Sequence, residues 1–383
     1  MPKYLSKEPS LAIISDTSIS SKNNYYSAFE PVVREVEHLA KLVNSVDWIG
    51  YHAKKTSLRN HKIPNSTNIN LLPMERSGGD SFLKKVQILF YFPIYFLNIA
   101  KIINKNDIVY LRGPSVPALL AIFISFFKKN KIYLYKYAGG WELKNIPLSY
   151  NFQRWILNKQ NNILTIVSFS SKNSKYIFEM PNPCLNKKDI KNGYLSMKDK
   201  NKYKRINVCF VGRCEKSKGI FEVLETLNIL SNNDIIRNCF IVGSGKLQYL
   251  NTRLNKKAKK LTTFCGVLTR SQLNRIYSKS NFILLPSKSE GFPKVLAEAA
   301  AYGCIPVVSK LPGVEKILKH NQEGLILNDT NPSHIAELLT RTSINENEVR
   351  RLAKKAHFWS LKFSYEVFID NFNKILKRHS KCH

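Results

Sequence analysis

The sequence lacks several devices that would assign a chain quickly. It has no Asp-x-Asp pair, no C-x-x-C pair and no zinc-ligand spacing, so no bound metal is expected from its motifs. Its seven cysteines, Cys184, Cys209, Cys214, Cys239, Cys265, Cys304 and Cys382, are odd in number, and several sit in apolar runs. They read as reduced residues of a cytosolic protein and exclude a disulfide framework. No stretch reaches the roughly 18–20 apolar residues of a spanning helix. The N-terminus, MPKYLSKEPSLAIISD, has no long apolar run, so no secretory signal is expected. Acidic residues are scarce, with 27 Asp and Glu against 60 Lys and Arg, a formal charge of +33.

That surplus fits a nucleic-acid partner, an anionic membrane surface, an anionic small molecule, or a compositional habit in a chain rich in Lys and Asn. No RNP-like motif or compact basic helix supports nucleic-acid binding, which stays a remote alternative. Two apolar segments come partway to a membrane span. Residues 86–100 are uncharged but carry Pro93 and are flanked by Lys84, Lys85 and Lys101; residues 115–127 end at Lys128 and Lys129. Each reads either as a buried helix on a sheet or as part of a basic, aromatic surface that dips into a membrane interface.

What is present is a regular alternation. The 383 residues are 44% hydrophobic, enough for two or three domains. Short apolar runs at 11–16, 46–51, 68–72, 108–112, 131–137 and 163–169 alternate with helical patterns, including 31–43, 82–103 and 116–127. Near-continuous apolar strands between helices indicate parallel sheets covered on both faces. Residues 186–205 hold eight basic and two acidic residues and read as a linker. The alternation then restarts, with strands at 206–212, 239–242, 261–265, 282–286, 305–309 and 324–327. The expectation is an N-terminal Rossmann-like domain over 1–190 and a second over 204–361. Both are doubly wound and face each other across a cleft. Ligands of such sheets bind beyond the carboxyl ends of the strands.

The strongest constellation is PSKSEGFPKVLAEAAAYGCIPVVS, residues 286–309. A buried strand ends at Pro286, and Pro293 suits a first helical turn. Glu290 then lies in the loop and Glu298 on the second turn. The backbone NH groups of Gly291, Phe292 and the first turn (Pro293, Lys294, Val295) favour an anionic or hydroxyl-rich ligand. Two carboxylates at one cleft can accept hydrogen bonds from sugar hydroxyls. An arbitrary Glu pair is more often solvated surface. A second element shifts the balance: after strand 206–212, Arg213 and Lys218 bring two cations to a strand-to-helix turn backed by Gly219. Fixed cations there can stabilise charge developing on a departing diphosphate. Gly243 and Gly245 follow the strand at 239–242, either as a phosphate loop or as a simple turn.

The succession VGRCEKSKG, IVGSGKL, FCGVLTR and EGFPKVLAEAAAYGCIPVVS resembles family 4 (group 1) of the retaining nucleotide-sugar glycosyltransferases, whose shared mark is Glu-x7-Glu, matched by Glu290 and Glu298. The resemblance covers roughly residues 207–327 and is weak before them. It implies a GT-B α/β fold and transfer of a hexose-type sugar from a nucleotide diphosphate sugar. The implied acceptor is a saccharide or lipid-linked saccharide, as in surface polysaccharide biosynthesis. By the resemblance, Arg213 and Lys218 hold the diphosphate, Glu290 contacts the transferred sugar and Glu298 the ribose. Val267 and Leu268 lie by the base through backbone groups. The C-terminal helix, 362–383, crosses back onto the first domain.

No metal and no cofactor is expected. The expected location is cytoplasmic, peripheral at the inner face of the cell membrane. The first half departs from the family pattern. Asn23 and Asn24, within SDTSISSKNNYY, stand about where many members have a Gly-Gly loop. YKYAGGWE (137–142 is YAGGWE) stands where a histidine often follows a strand. Gly139, Gly140 and Glu142 are the acceptor-side candidates, against a plain glycine turn capped by a core Trp141. A sugar-nucleotide epimerase or phosphorylase of the same fold is the alternative activity.

Overall fold

The computed structural model describes residues 9–22, 25–53, 61–75, 82–142, 146–170, 174–200, 205–290 and 293–379. The chain forms two compact units, one from Met1–Pro181 with Phe368–His383 and the other from Asn182–Val367.

The first unit is built on β1 (Ser10–Lys22), β2 (Tyr25–Phe29), β3 (Ser45–His52), β4 (His61–Lys62), β5 (Ile69–Met74), β6 (Ile108–Gly113), β7 (Ile132–Tyr137), β8 (Ile163–Val167) and β9 (Ile177–Glu179). The parallel order is β5-β3-β1-β6-β7-β8-β9. Successive residues point to opposite faces of a strand, and the packing divides accordingly. Leu11, Ile13, Trp48, Tyr110 and Leu134 pack against the helix Glu30–Leu39 and against Phe368, Phe372, Ile375 and Leu376 of the last helix, Tyr365–His379. Ala12, Ile14, Val109, Leu111, Tyr133 and Tyr135 pack against the helices Phe82–Lys105, Val116–Phe127 and Leu148–Lys159.

The strand expected at 11–16 is longer than its apolar run. β1 continues through Ser18 and Ser20 to pair antiparallel with β2, so the polar stretch after the first strand is a hairpin and not a loop. Ile19 and Ala28 face each other in that pair and are both buried, which anchors the register. Asn23 and Asn24 lie outside the described residues.

The second unit holds β10 (Ile206–Val211), β11 (Ile236–Val242), β12 (Thr262–Gly266), β13 (Phe282–Leu285), β14 (Ile305–Ser309) and β15 (Leu325–Leu327), all parallel, in the order β12-β11-β10-β13-β14-β15. Renumbered within the unit this is 3-2-1-4-5-6, the dinucleotide-fold order, whose direction reverses between β10 and β13. β10, β13 and β14 are buried at every residue, which explains their unbroken apolar sequence.

The stretch 186–205 is not simply a linker. Lys187–Asp199 is a helix of the second unit, opened by a capping box between Asn186 and Asp189. Its Gly193 packs on the neighbouring helix so closely that a Cβ would stand 2.1 Å from the carbonyl oxygen of Ala301. Just after it, buried Lys200 donates from Nζ to the carbonyls of Tyr277, Ser280 (2.6 Å) and Tyr302 (2.6 Å). These carbonyls end the helices Arg270–Lys279 and Lys294–Ala301, where a cation meets the negative end of the helix dipole. Burial pulls the Lys200 pKa below its ordinary value, against the opposing effect of Cys304.

Candidate functional site

The site begins with the turn that leaves β10. The chain passes Gly212 to Glu215, makes a short 3-10 turn over Lys216–Lys218, and enters the helix Ile220–Asn232 through Gly219 at φ 74°. Only glycine adopts that left-handed conformation without strain. Gly219 is also pressed against the end of β13, since a Cβ there would stand 2.2 Å from the carbonyl oxygen of Pro286. The amide of Lys288 donates to the carbonyl of Ser217 at 2.9 Å. The loops after β10 and β13 are thereby joined at the point where the strand order reverses, the usual ligand position in such a sheet.

Lys218 and Glu290 meet across this junction. Lys218 Nζ donates to Glu290 Oε1 at 2.8 Å, and Ser287 Oγ donates to the same oxygen at 2.7 Å. Both side chains are largely buried, so the pair is less screened than a surface bridge. Glu290 Oε2 takes no hydrogen bond among the described residues and keeps its lone pairs for a donor such as a sugar hydroxyl.

Glu298 lies one turn into the helix Lys294–Ala301, which starts one residue after Pro293, where Pro293 serves as the N-cap. Arg270 Nη1 stands 2.5 Å from Glu298 Oε1, and Tyr277 OH donates to Oε2 at 3.3 Å. Arg270 also reaches Asp189 at 3.4 Å, which Asn274 bonds at 3.0 Å. Burial alone would lower the guanidinium pKa, but the carboxylates of Glu298 and Asp189 outweigh it and hold Arg270 above its ordinary value. Burial, reinforced by Glu298, pushes the Tyr277 phenol well above its ordinary value. Arg270 Nε is buried without a hydrogen-bond partner among the described residues.

Arg213 stands on the same strand-to-helix turn as Lys218 but meets a different partner. Its side chain is 69% exposed and pairs with Glu215 at 3.1 Å, while Lys218 alone joins Glu290. Gly243 and Gly245 face the same loop. At φ 144°, a Cβ on Gly243 would stand 1.7 Å from the Gly212 carbonyl oxygen, and one on Gly245 would stand 2.7 Å from Cys214 Cβ. Their tight packing is thus accounted for by the neighbouring turn. At the end of β12, Val267 is exposed and Leu268 half-buried. Lys294 and Val295 are half-buried in the first helical turn; Gly291 and Phe292 lie outside the described residues.

In the first unit, Trp141 is buried edge-on against Tyr137, with centroids 5.0 Å apart at 88°. Gly140 is buried, Gly139 half-buried and Glu142 exposed. Beneath the ends of β6 and β7, buried Glu35 accepts from Tyr110 OH (2.9 Å), Arg112 (2.5 Å) and Lys136 (2.7 Å). The motifs did not single out these residues, nor Arg270, Tyr277, Ser287 and Asp189. Arg270 closes the quoted stretch FCGVLTR and opens a Thr269-capped helix, which is the one signal that pointed toward it.

Residues 195–359, within the second unit, match the model of the family Glycosyl transferases group 1. The two-unit fold is GT-B. It is similar to sucrose-phosphate synthase from Thermosynechococcus elongatus, with a TM-score of 0.70 at 16% identity over 98% of this chain and 100% of that one. It is also similar to the Anabaena protein HepE in complex with UDP and glucose, with a TM-score of 0.65 at 14% identity over 97% and 99%. By sequence, the chain is 24% identical over 177 residues to an uncharacterized 41.2 kDa protein in the cps region of Klebsiella pneumoniae, covering 46% of this chain and 47% of that protein. The chain spans about half the length of the curated relatives it matches first.

Proposed function

We propose that the protein is a glycosyltransferase that moves a hexose-type sugar from a nucleotide diphosphate sugar to a saccharide or lipid-linked saccharide acceptor, with retention at the anomeric carbon, in surface polysaccharide biosynthesis. The observation that carries the donor half is the Lys218–Glu290 pair at the reversal point of the second sheet. HepE, of similar fold, was solved with UDP and glucose, and the Klebsiella relative belongs to a cps region.

In this reading Lys218 supplies positive charge to the diphosphate as it leaves, where an ordered cation in a partly buried site stabilises the transition state. Arg213, exposed and flexible in reach, turns from Glu215 to the same diphosphate. Glu290, fixed by Ser287 and Lys218, orients the sugar through Oε2, and Glu298 accepts from the ribose. The bond from the anomeric carbon to the diphosphate oxygen breaks, and the acceptor oxygen bonds to the same face. The acceptor proton passes to the departing diphosphate. Glu290 then needs no covalent role.

The test is incubation with a panel of nucleotide sugars, following hydrolysis or transfer of each. One donor is consumed with release of its nucleoside diphosphate. Lys218→Ala lowers both nucleotide affinity and turnover, the latter by about 100-fold or more, and Glu290→Gln slows transfer. Unchanged diphosphate affinity in Lys218→Ala, or full transfer rate in Glu290→Gln, removes the site assignment.

A further inference from the structure

The helices Phe82–Lys105, Val116–Phe127 and Leu148–Lys159 cover one face of the first unit's sheet and share a single core with it. Their inner sides are apolar, as burial requires. Their outer sides also carry large apolar residues among those described, and there nothing in the fold requires it. Exposed large apolar residues are Phe92, Ile94, Phe96 and Leu97 on the first helix, Phe123, Phe126 and Phe127 on the second, and Leu148, Phe152 and Trp155 on the third. Phe127 is 84% exposed, Leu97 67% and Trp155 57%. Leu148, Phe152 and Trp155 recur at helical spacing, and the last two rings stack at 6.1 Å and 13°. A chain normally exposes such residues singly, and a set of this size on one layer marks a contact surface.

Charge identifies the occupant. The three helices contain no Asp or Glu in their entire sequences. Exposed Lys101, Lys128, Lys129 and Lys159 lie on them or directly after them, whereas Lys105 pairs with Asp47 at 3.0 Å. The opposite face of the same sheet differs, because one of its two helices, Glu30–Leu39, carries Glu30 and Glu37 toward the surface and exposes no large apolar residue among those described. Among the described residues no helix is long and apolar enough to cross a membrane. An apolar, aromatic layer with only basic charge, too short and interrupted to span, fits the headgroup boundary of an anionic bilayer.

We infer that this three-helix layer docks the protein onto an anionic lipid surface, with Phe127, Leu97, Trp155 and their neighbours entering the headgroup region and the lysines meeting lipid phosphates. The inference does not rest on the donor-site reading, because nucleotide binding can be measured without lipid and vesicle binding without nucleotide.

The experiment uses the full chain and vesicles of phosphatidylcholine alone or mixed equally with phosphatidylglycerol. The wild type sediments with the mixed vesicles at low ionic strength, and binding falls steeply with salt. Lys128→Gln with Lys129→Gln weakens partition by about fivefold for each charge. Leu97→Glu, Phe127→Glu and Trp155→Glu together abolish it, with an unchanged melting temperature because all three side chains are exposed. The other tryptophans, Trp48, Trp141 and Trp359, are buried. Brominated lipid therefore quenches fluorescence in the wild type and not in Trp155→Phe. Three results overturn the inference: no binding to anionic vesicles at low salt, binding that the triple variant retains, or binding without quenching of Trp155. A dimer that the triple variant dissociates, without vesicle binding, assigns the face to a second copy instead.

Discussion

Arg270 Nη1 stands 2.5 Å from Glu298 Oε1, a charge pair that fastens the helix Arg270–Lys279 to the helix Lys294–Ala301. Both side chains are mostly buried, and Asp189 shares the same guanidinium. One guanidinium thus meets two carboxylates.

Removing that cation takes a buried ion-pair partner from Glu298 and weakens the surroundings of Asp189. Arg270→Ala should cost about 3–5 kcal/mol of stability, read by urea denaturation. Arg270→Lys should recover only part of it, because a point charge does not reproduce the planar fork. Glu298→Gln should weaken nucleotide affinity while costing less stability than Arg270→Ala, since Asp189 still compensates the guanidinium.

Gly219→Ala is strained twice. The left-handed backbone costs an L-residue about 1–2 kcal/mol, and the new Cβ would collide with the Pro286 carbonyl. The substitution should lower the melting temperature and also weaken nucleotide binding, because Lys218 is the preceding residue. A stabilised variant with wild-type affinity would contradict the close approach.

Lys200→Met keeps the apolar stem and removes the ammonium that serves three carbonyls. Leaving buried acceptors unpaired should cost about 2–3 kcal/mol, and hydrogen exchange should rise at the ends of the two helices that Lys200 caps. Unaltered exchange there would reduce Lys200 to a passive filler.

Asp47 contributes to acid behaviour in the first unit. Burial alone would raise its pKa, but bonds from Asn70, Lys105 and Asn106 hold it below the ordinary 3.8. A depressed folded-state pKa stabilises above the unfolded value and loses that stabilisation as pH falls through the folded one. Asp47→Asn should therefore lower stability near neutrality and flatten the acid limb below pH 3.8, as followed by melting across pH.

Much of the fold was legible because its strands are buried on both faces. β10, β13 and β14 need unbroken apolar sequence and show it. The hairpin of β1 and β2 was not legible, because on β1 only Ile19, opposite Ala28, is apolar and the paired residues Ser20, Ser21 and Lys22 are polar. The helix Lys187–Asp199 was hidden by its lysines. Its apolar contacts are few, and its closeness to Ala301 depends on Gly193, which has no side chain to signal burial. In the site, Lys218, Glu290 and Glu298 announced themselves by motif. Arg270 and Asp189 did not, since they lie on separate helices 81 residues apart and only the fold brings them together. Ser287 stood inside the motif but carried no charge to draw notice.

The backbone bond from Lys288 to Ser217, with the press of Gly219 on Pro286, has a mechanical consequence. The segments bearing Lys218 and Glu290 are tied to each other, closer to a single jaw than to two fingers. On the proposed reading, a donor that engages the lysine and the carboxylate meets one joined pair of loops.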